Sequence, residues 1–364
     1  MHPSSADARQ IFRAVSVFAR PVEARSVLEL LITVIPFMLL WALTSAALAH
    51  GYLGGLLLAI PAGGLLLRLF VIQHDCGHGS LFRRRETNDW VGRFLSVLTL
   101  TPYDSWRRSH AKHHATSGNL GKRGTGDVDT LTVVEYRARS PRQRLRYRLY
   151  RNPLIFFLVG PAYTFLLRHR FPAAAANSGW RSWLSTLATN AAIGTVAASL
   201  VWQIGLAQFL AVHIPIALIA ATAGVWLFYV QHQFEHTVWD ADADWNFHAA
   251  ALHGSSHYDL PPVLRWFTAN IGVHHVHHLS SRIPFYRLPE VLRAHPELAP
   301  LGRLTLGKSL ATTRLRLWDQ EERRMVRFGE AGLITAEQLP APSITELTEP
   351  IGRQLRPKAN RPSS

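Results

Sequence analysis

Residues 270–288 read NIGVHHVHHLSSRIPFYRL, with histidines at 274, 275, 277 and 278. Histidine seldom clusters so densely for packing alone, because each imidazole taken out of water needs partners for both ring nitrogens. The cluster is internal and not homopolymeric, which separates it from an affinity tag and points to metal. His274, His277 and His278 form an H-x-x-H-H pattern whose members share a face of a helix, and His275 stands apart.

Three further groups have related spacings. HDCGH sets His74 and His78 one helical turn apart, SHAKHH repeats H-x-x-H-H with His110, His113 and His114, and QHQFEH places His232 and His236 at i and i+4. A single tetrahedral ion takes about four ligands, so nine or ten histidines argue for two ions, each held by four or five imidazoles. Imidazole suits zinc, copper, iron and nickel alike. Neither Glu-x-x-His nor His-Glu-x-x-His occurs, which weakens carboxylate di-iron and zincin-type readings. Asp75 reads either as an acceptor that orients a ligand imidazole or as a helix-terminal charge. Asp127 and Asp129, in GTGDVDT, read as acceptors of the same kind or as turn residues. His248, His253 and His257 lack partners at chelating spacing and read as ordinary core or surface histidines. The single cysteine, Cys76, excludes an internal disulfide and reads as a small buried hydrophobe.

The apolar residues, 48% of 364, are concentrated in windows at about 27–49, 52–72, 183–202 and 206–230. These predict four transmembrane helices in two hairpins, joined by HGYLG and QIGLA, within an all-α integral membrane protein. Arg9, Arg13, Arg20 and Arg25 precede the first window. Arg83, Arg84, Arg85, Arg93, Arg107, Arg108, Lys112, Lys122 and Arg123 follow the second. The positive-inside rule therefore puts the termini, and a helical cap carrying all four histidine groups, in the cytoplasm. No cleavable signal peptide is expected. Residues 1–26 read as a basic cytoplasmic lead-in, 27–290 as the membrane domain, 291–339 as a cytoplasmic helical tail and 340–364 as a disordered end. Trp90–Thr101 and Pro153–Leu167 are apolar but too short to span; the first reads as an interfacial or re-entrant helix and the second as interfacial. The net charge of +15 has no nucleic-acid motif beside it, so the run RARSPRQRLRYRLYR at 137–151 is assigned to anionic headgroups, with an acidic partner protein as a compatible addition. Redox ions held almost wholly by histidine at a membrane surface point to oxygen chemistry on lipid.

The histidine groups, with HHATSGNLGKRGTGD (113–127), YRLYRNPL (147–154) and VQHQFEHTVW (230–239), closely resemble the membrane fatty acid desaturases, in particular the bacterial acyl-lipid omega-6 or delta-12 type. The resemblance covers roughly residues 25–290. It implies a di-iron centre, O2 as co-substrate, two electrons from an external carrier and insertion of a cis double bond into a long acyl chain. Carried over by motif, the ligands would be His74 and His78; His110, His113 and His114; and His274, His277 and His278. His236 would be a further direct ligand, and His232 would act directly or through water. Trp106, Trp226 and Phe228 read either as the lining of an acyl tunnel or, the commoner case, as membrane-interface aromatics. No HPGG heme motif occurs, so the donor would be a separate protein such as a ferredoxin. The implied location is a bacterial inner membrane with the active site cytoplasmic. The alternatives are a lipid hydroxylase, ketolase or epoxygenase on the same scaffold, or a membrane metal carrier or sensor. The carrier is disfavoured by the scarcity of polar residues within the spans.

Overall fold

The computed structural model describes residues 5–124, 126–171 and 179–332. Helix α1 (Ser5–Val15) precedes α2 (Glu23–Ala49), which turns through a 3-10 stretch, Leu53–Leu58, into α3 (Ala59–His78). Next come α4 (Arg85–Leu98), α5 (Tyr103–Thr116), β1 (Leu131–Thr132), α6 (Val133–Ala138) and α7 (Pro141–Tyr150). Two π-helical turns flank α8 (Gly160–Ala162), and α9 (Gly179–Ile204) and α10 (Leu206–His232) make a second long hairpin. The rest is made of short elements: α11 (Phe247–His253), β2 (His257–Asp259), α12 (Pro262–Phe267), α13 (His274–Leu279), α14 (Leu288–Ala294), β3 (Arg303–Thr305), α15 (Leu306–Thr312), β4 (Leu317–Asp319) and β5 (Arg324–Val326).

Four helices, Glu23–Ala49, Leu53–His78, Ser182–Ile204 and Leu206–His232, are long and apolar enough to cross a bilayer, as the hydropathy windows predict. The second and fourth outrun their windows, because backbone hydrogen bonding continues after the apolar run stops. The extra length matters for the site. It carries α3 through His74 and His78 to Gly79, whose φ of 69° suits a residue without Cβ and ends the helix. It likewise carries α10 to His232. The expected interfacial stretch at 90–101 falls largely within α4, which exposes Trp90 and Phe94 while burying Leu95.

A buried charge cluster ties the first hairpin to the cap. The Arg68 guanidinium of α3 donates to Glu29 of α2, to the Trp266 carbonyl of α12 and to Thr33 Oγ1, and it lies 4.4 Å from the Trp266 ring centroid. Arg68 and Glu29 are both 2% exposed. Glu29 also receives Arg25 at 2.6 Å. A charge in such surroundings persists only when paired and hydrogen-bonded.

Three of the cap's short strands form a sheet in the order β1–β4–β5, and β2 pairs parallel with β3. The expectation of a helical tail over 291–339 is therefore corrected: its described part, to residue 332, holds three strands beside α14 and α15. Strands β3 and β4 pair with β2 and β1, far away in the chain, so local periodicity could not announce them, and β5 joins as the near neighbour of β4. Residues 333–364, including the stretch expected to be disordered, lie outside the described residues. The basic run at 137–151 divides. Arg142 and Arg146 are exposed, whereas Arg151 is buried and donates to Gln233 Oε1 at 2.8 Å and to the Leu315 carbonyl at 3.0 Å. Arg137 reaches the Ala331 carbonyl, so part of the charge read as lipid-facing holds the cap to the C-terminal strands.

Breaking the Glu29–Arg68 pair from one side leaves an uncompensated buried charge. Glu29→Ala should cost about 3–5 kcal/mol, while Glu29→Leu combined with Arg68→Met should be less destabilised than either single change. Thermal unfolding in detergent measures both.

Candidate metal centre

Four helices bring the histidines together. His74 and His78 from the end of α3, His110 and His114 from α5, and His277 from α13 place their ligand atoms within 4.8 Å of one another. Successive Nε2 atoms are 3.3 Å apart between His74 and His78, 3.1 Å between His78 and His110, 3.1 Å between His110 and His114, and 3.2 Å between His114 and His277. A second group joins His113, His232 and His278 within the same limit. His274 completes it, with Nε2 at 3.1 Å from the Nε2 atoms of both His232 and His278. The groups thus hold five and four imidazoles, and they share a wall where the rings of His114 and His278 stack at 4.0 Å.

The two H-x-x-H-H motifs explain the partition. On α5 the i and i+4 members, His110 and His114, face the first group, and the i+3 member, His113, faces the second. On α13 the sense reverses: His274 and His278 face the second group, and His277 the first. Residues three and four apart share a helix face but diverge by some tens of degrees, enough to serve neighbouring ions from one helix.

Carboxylates orient two of the rings from behind. His74 Nδ1 lies 3.1 Å from Asp75 Oδ1, while Asp75 Oδ2 accepts the Phe285 backbone N–H at 2.7 Å. His113 Nδ1 is hydrogen-bonded to Asp127. A carboxylate accepting from Nδ1 makes that the protonated nitrogen and turns the Nε2 lone pair inward, the arrangement a metal-bound histidine needs. Burial, reinforced by the neighbouring imidazoles, pushes His110, His114, His274, His277 and His278 well below the ordinary histidine range, so these rings are neutral at neutral pH. Converging neutral Nε2 donors with little else to bond to suit two first-row transition ions.

One expected ligand lies elsewhere. His236 is exposed and outside both groups, and His232 occupies the place expected for the pair. The helical spacing assumed for QHQFEH fails because α10 ends at His232, and Gln233 already has φ −116° and ψ 73°. His275 is buried but faces away, with its ring 5.7 Å from that of His257. Asp129 also stands apart: its backbone carbonyl accepts from Arg151 and its N–H donates to Tyr150 Oη, so it braces the cap.

A cavity of about 680 Å³ reaches this centre, touching His74, His110 and His274. Its walls include Phe70, Val71, Phe165, Leu227 and Phe228, and Trp106 lines it while stacking on His110 at 4.5 Å. Trp226, expected beside them, faces a separate groove with Phe157 and donates to Tyr258 Oη. Phe70 and Phe165 were not foreseen. The available signal for Phe70 was its position four residues before His74, one turn away on α3.

The fatty acid desaturase family model matches residues 47–309. The chain belongs to the fatty acid desaturase family. It is 46% identical over 320 residues to a fatty acid desaturase of Bacillus subtilis, covering 88% of this chain and 90% of the relative. An sn-1 oleoyl-lipid 12-desaturase of Synechocystis is 29% identical over 278 residues, covering 68% of this chain and 73% of the relative. An sn-1 acyl-lipid omega-3 desaturase (ferredoxin) of the same organism is 29% identical over 249 residues, 64% of each chain. The desaturase family consists of oxidoreductases that unsaturate acyl chains, and the histidine groups of this member are able to hold metal.

His232→Ala should lower bound metal per chain, whereas His236→Ala should leave it unchanged. Asp127→Asn, which removes the acceptor behind His113, should weaken metal affinity about 10–100-fold. Elemental analysis after graded chelation reads all three.

Proposed function

We propose that this desaturase inserts a cis double bond into a long, lipid-linked acyl chain, with omega-6 or delta-12-like selectivity, using O2 and two electrons at a di-iron centre. The observation that carries the reading is the cavity that touches His74, His110 and His274 and has Phe70, Val71, Phe165, Leu227 and Phe228 among its walls. The residues fit two irons: His74, His78, His110, His114 and His277 would hold one, and His113, His232, His274 and His278 the other. When bound, the irons supply the oxidising power needed to remove hydrogen from an unactivated methylene.

The protein's own residues supply placement. Phe70, Val71, Leu227 and Phe228 pack against the methylenes and keep water from them, so one carbon pair is held beside His74, His110 and His274. Asp75 and Asp127 hold their imidazoles in one tautomer and one orientation. Trp106 fixes the plane of His110 by stacking. The neutral ligand set leaves the cations' charge largely uncompensated, which favours an electrophilic oxidant. A hydroxylase on the same scaffold would differ only in the fate of the second hydrogen, and product analysis separates the two.

The reading places the protein in a bacterial inner membrane, with its termini and histidine centre in the cytoplasm. Its support is the arginine-rich flanks of the first hairpin. The electron donor is read as a small acidic carrier of the ferredoxin type. The omega-3 relative named with ferredoxin and the exposed Arg83 and Arg84 support this reading. Arg85 is a poorer docking residue, because it pairs with Asp89 at 2.9 Å and donates to the Gly77 carbonyl.

Expression in a host whose lipids are saturated and monounsaturated, followed by gas chromatography and mass spectrometry, should reveal a new cis double bond. A hydroxylated product would instead establish the hydroxylase, and His277→Ala should abolish the product while leaving membrane insertion intact.

Turnover with ferredoxin should fall as ionic strength rises, because encounter between opposite charges is screened within about 10 Å at 0.1 M salt. Turnover driven by a neutral chemical reductant should change little. Indifference to salt, and to reversal of Arg83 and Arg84, would remove the docking reading.

A further inference from the structure

We propose that residues 258–272 form a finger that leaves the histidine layer, dips into the bilayer beside α3 and returns, and that its apolar face, extended by α15, is seated in the acyl layer of the membrane. The inference rests on the reading of the four long helices as membrane spans.

The contacts trace the excursion level by level. Ser256 donates its N–H to the Gln231 carbonyl at 2.9 Å, so the chain starts beside the last turn of α10. Tyr258 Oη then accepts from Trp226 Nε1 at 3.2 Å, five residues farther from the histidine end of that helix. Helix α12 reaches α3, where the Trp266 carbonyl accepts from Arg68 and the Phe267 ring packs so closely on Gly64 that a Cβ there would come within 2.6 Å of it. Gly64 precedes His74 by ten residues, about 15 Å along the helix axis, which is about half the thickness of a bilayer's hydrocarbon core. The chain reverses through Ala269 and Asn270, with φ of 48° and 55°. It returns to its starting level where Gln231 Nε2 donates to the Ile271 carbonyl at 3.1 Å. The base is closed by the Tyr258 N–H, which donates to the Gly272 carbonyl at 2.7 Å, and by an antiparallel bridge between His257 and Val273. The same residue of α10 thus marks entry and exit.

The finger's surface suits hydrocarbon. Val263 is 68% exposed, and Leu264 and Trp266 are exposed beside it. Parallel pairing of β2 with β3 sends α12 and α15 from the same end of the ladder, and Tyr258 Oη lies 3.0 Å from Ser309 Oγ of α15. That helix adds Leu306 and Leu310, the latter 62% exposed. In water such a patch would be a liability. Asp259 receives both Arg265 at 3.0 Å and Arg303 at 2.6 Å, and Lys308, exposed on α15, has a stem long enough to carry its ammonium from the apolar face to the headgroups. Pro261 and Pro262 open the finger without backbone N–H groups, which removes two donors that lipid could not satisfy.

The test uses the full chain in vesicles of phosphatidylethanolamine and phosphatidylglycerol. Cys76 is fully buried, so nitroxide can be attached to single cysteines introduced as Val263→Cys, Leu264→Cys and Leu310→Cys. Leu39→Cys on the exposed face of α2 serves as the span control, and Glu322→Cys as the aqueous one. Power saturation compares collision with oxygen, which concentrates in hydrocarbon, with collision with a water-soluble nickel chelate. The finger and α15 positions should match Leu39→Cys, favouring oxygen several-fold over nickel, with the opposite order at Glu322→Cys. Aqueous behaviour at the finger and α15 positions, with Leu39→Cys in lipid, would overturn the finger alone. Shielding of these positions from both reagents would show a protein cover and overturn it too. Aqueous behaviour at Leu39→Cys would overturn the transmembrane reading itself. The paired positions Val263 and Leu264 keep the outcome readable if one substitution disturbs folding.

Discussion

Everything in this fold serves the convergence of nine imidazole Nε2 atoms in a space from which water is largely excluded. Such a cluster resists assembly twice over. Each ring must give up its hydration, and any that became protonated would repel the rest. Rings lying 3.1–3.3 Å from one another through Nε2 do not hold themselves in place, because neutral imidazoles facing by their acceptor nitrogens gain little without a cation between them. Rigid elements must therefore impose the geometry. Helices α3, α5, α10 and α13 do so, with Asp75 and Asp127 bracing two rings from outside.

Those helices are in turn held by polar contacts that hydropathy does not record. Arg68 joins α2, α3 and α12 through Glu29, Thr33 and Trp266. Arg151 is buried among Tyr229, Gln233 and Leu315 and joins the end of α7 to α10 and to the segment before β4. Both are arginines out of water, where five fixed donors can be satisfied in several directions at once. Arg68 lies on α3 six residues before His74, and Arg151 lies beside the Tyr229–Gln233 turn that carries His232, so the histidine-bearing ends of α3 and α10 are both tied to neighbouring elements.

The cavity gives the centre its chemical meaning. Under the proposed function, the chamber lined by Phe70, Val71, Leu227 and Phe228 would admit a methylene chain to His74, His110 and His274, and Ser109, Asp127 and Gln231 also stand in its walls. Selectivity along such a chain can come only from where the chamber stops and how its mouth holds the head of the substrate. For that reason the histidines, which are common to the chemistry, say little about the position of the double bond.

The sequence by itself marked the four spans and the two hairpins and put all nine clustered histidines among its candidates, His232 with a direct or water-mediated role left open, because each rests on a local period: a long apolar run, or histidines three and four apart on one helix face. It failed where a period was assumed to continue. QHQFEH looks helical throughout, yet α10 stops at His232, so His232 joins the cluster and His236 points into solvent. In the tail, β4 pairs with β1 and β3 with β2, more than a hundred and about fifty residues upstream, and pairing over such distances leaves no local trace, while β5 joins through β4. The division of the histidines into five and four was also beyond the sequence. It depends on the angle at which α5 and α13 face one another, which is set by the packing of α3, α4 and α9 on α5 and of α11 and β2 on α13 and by no residue taken alone.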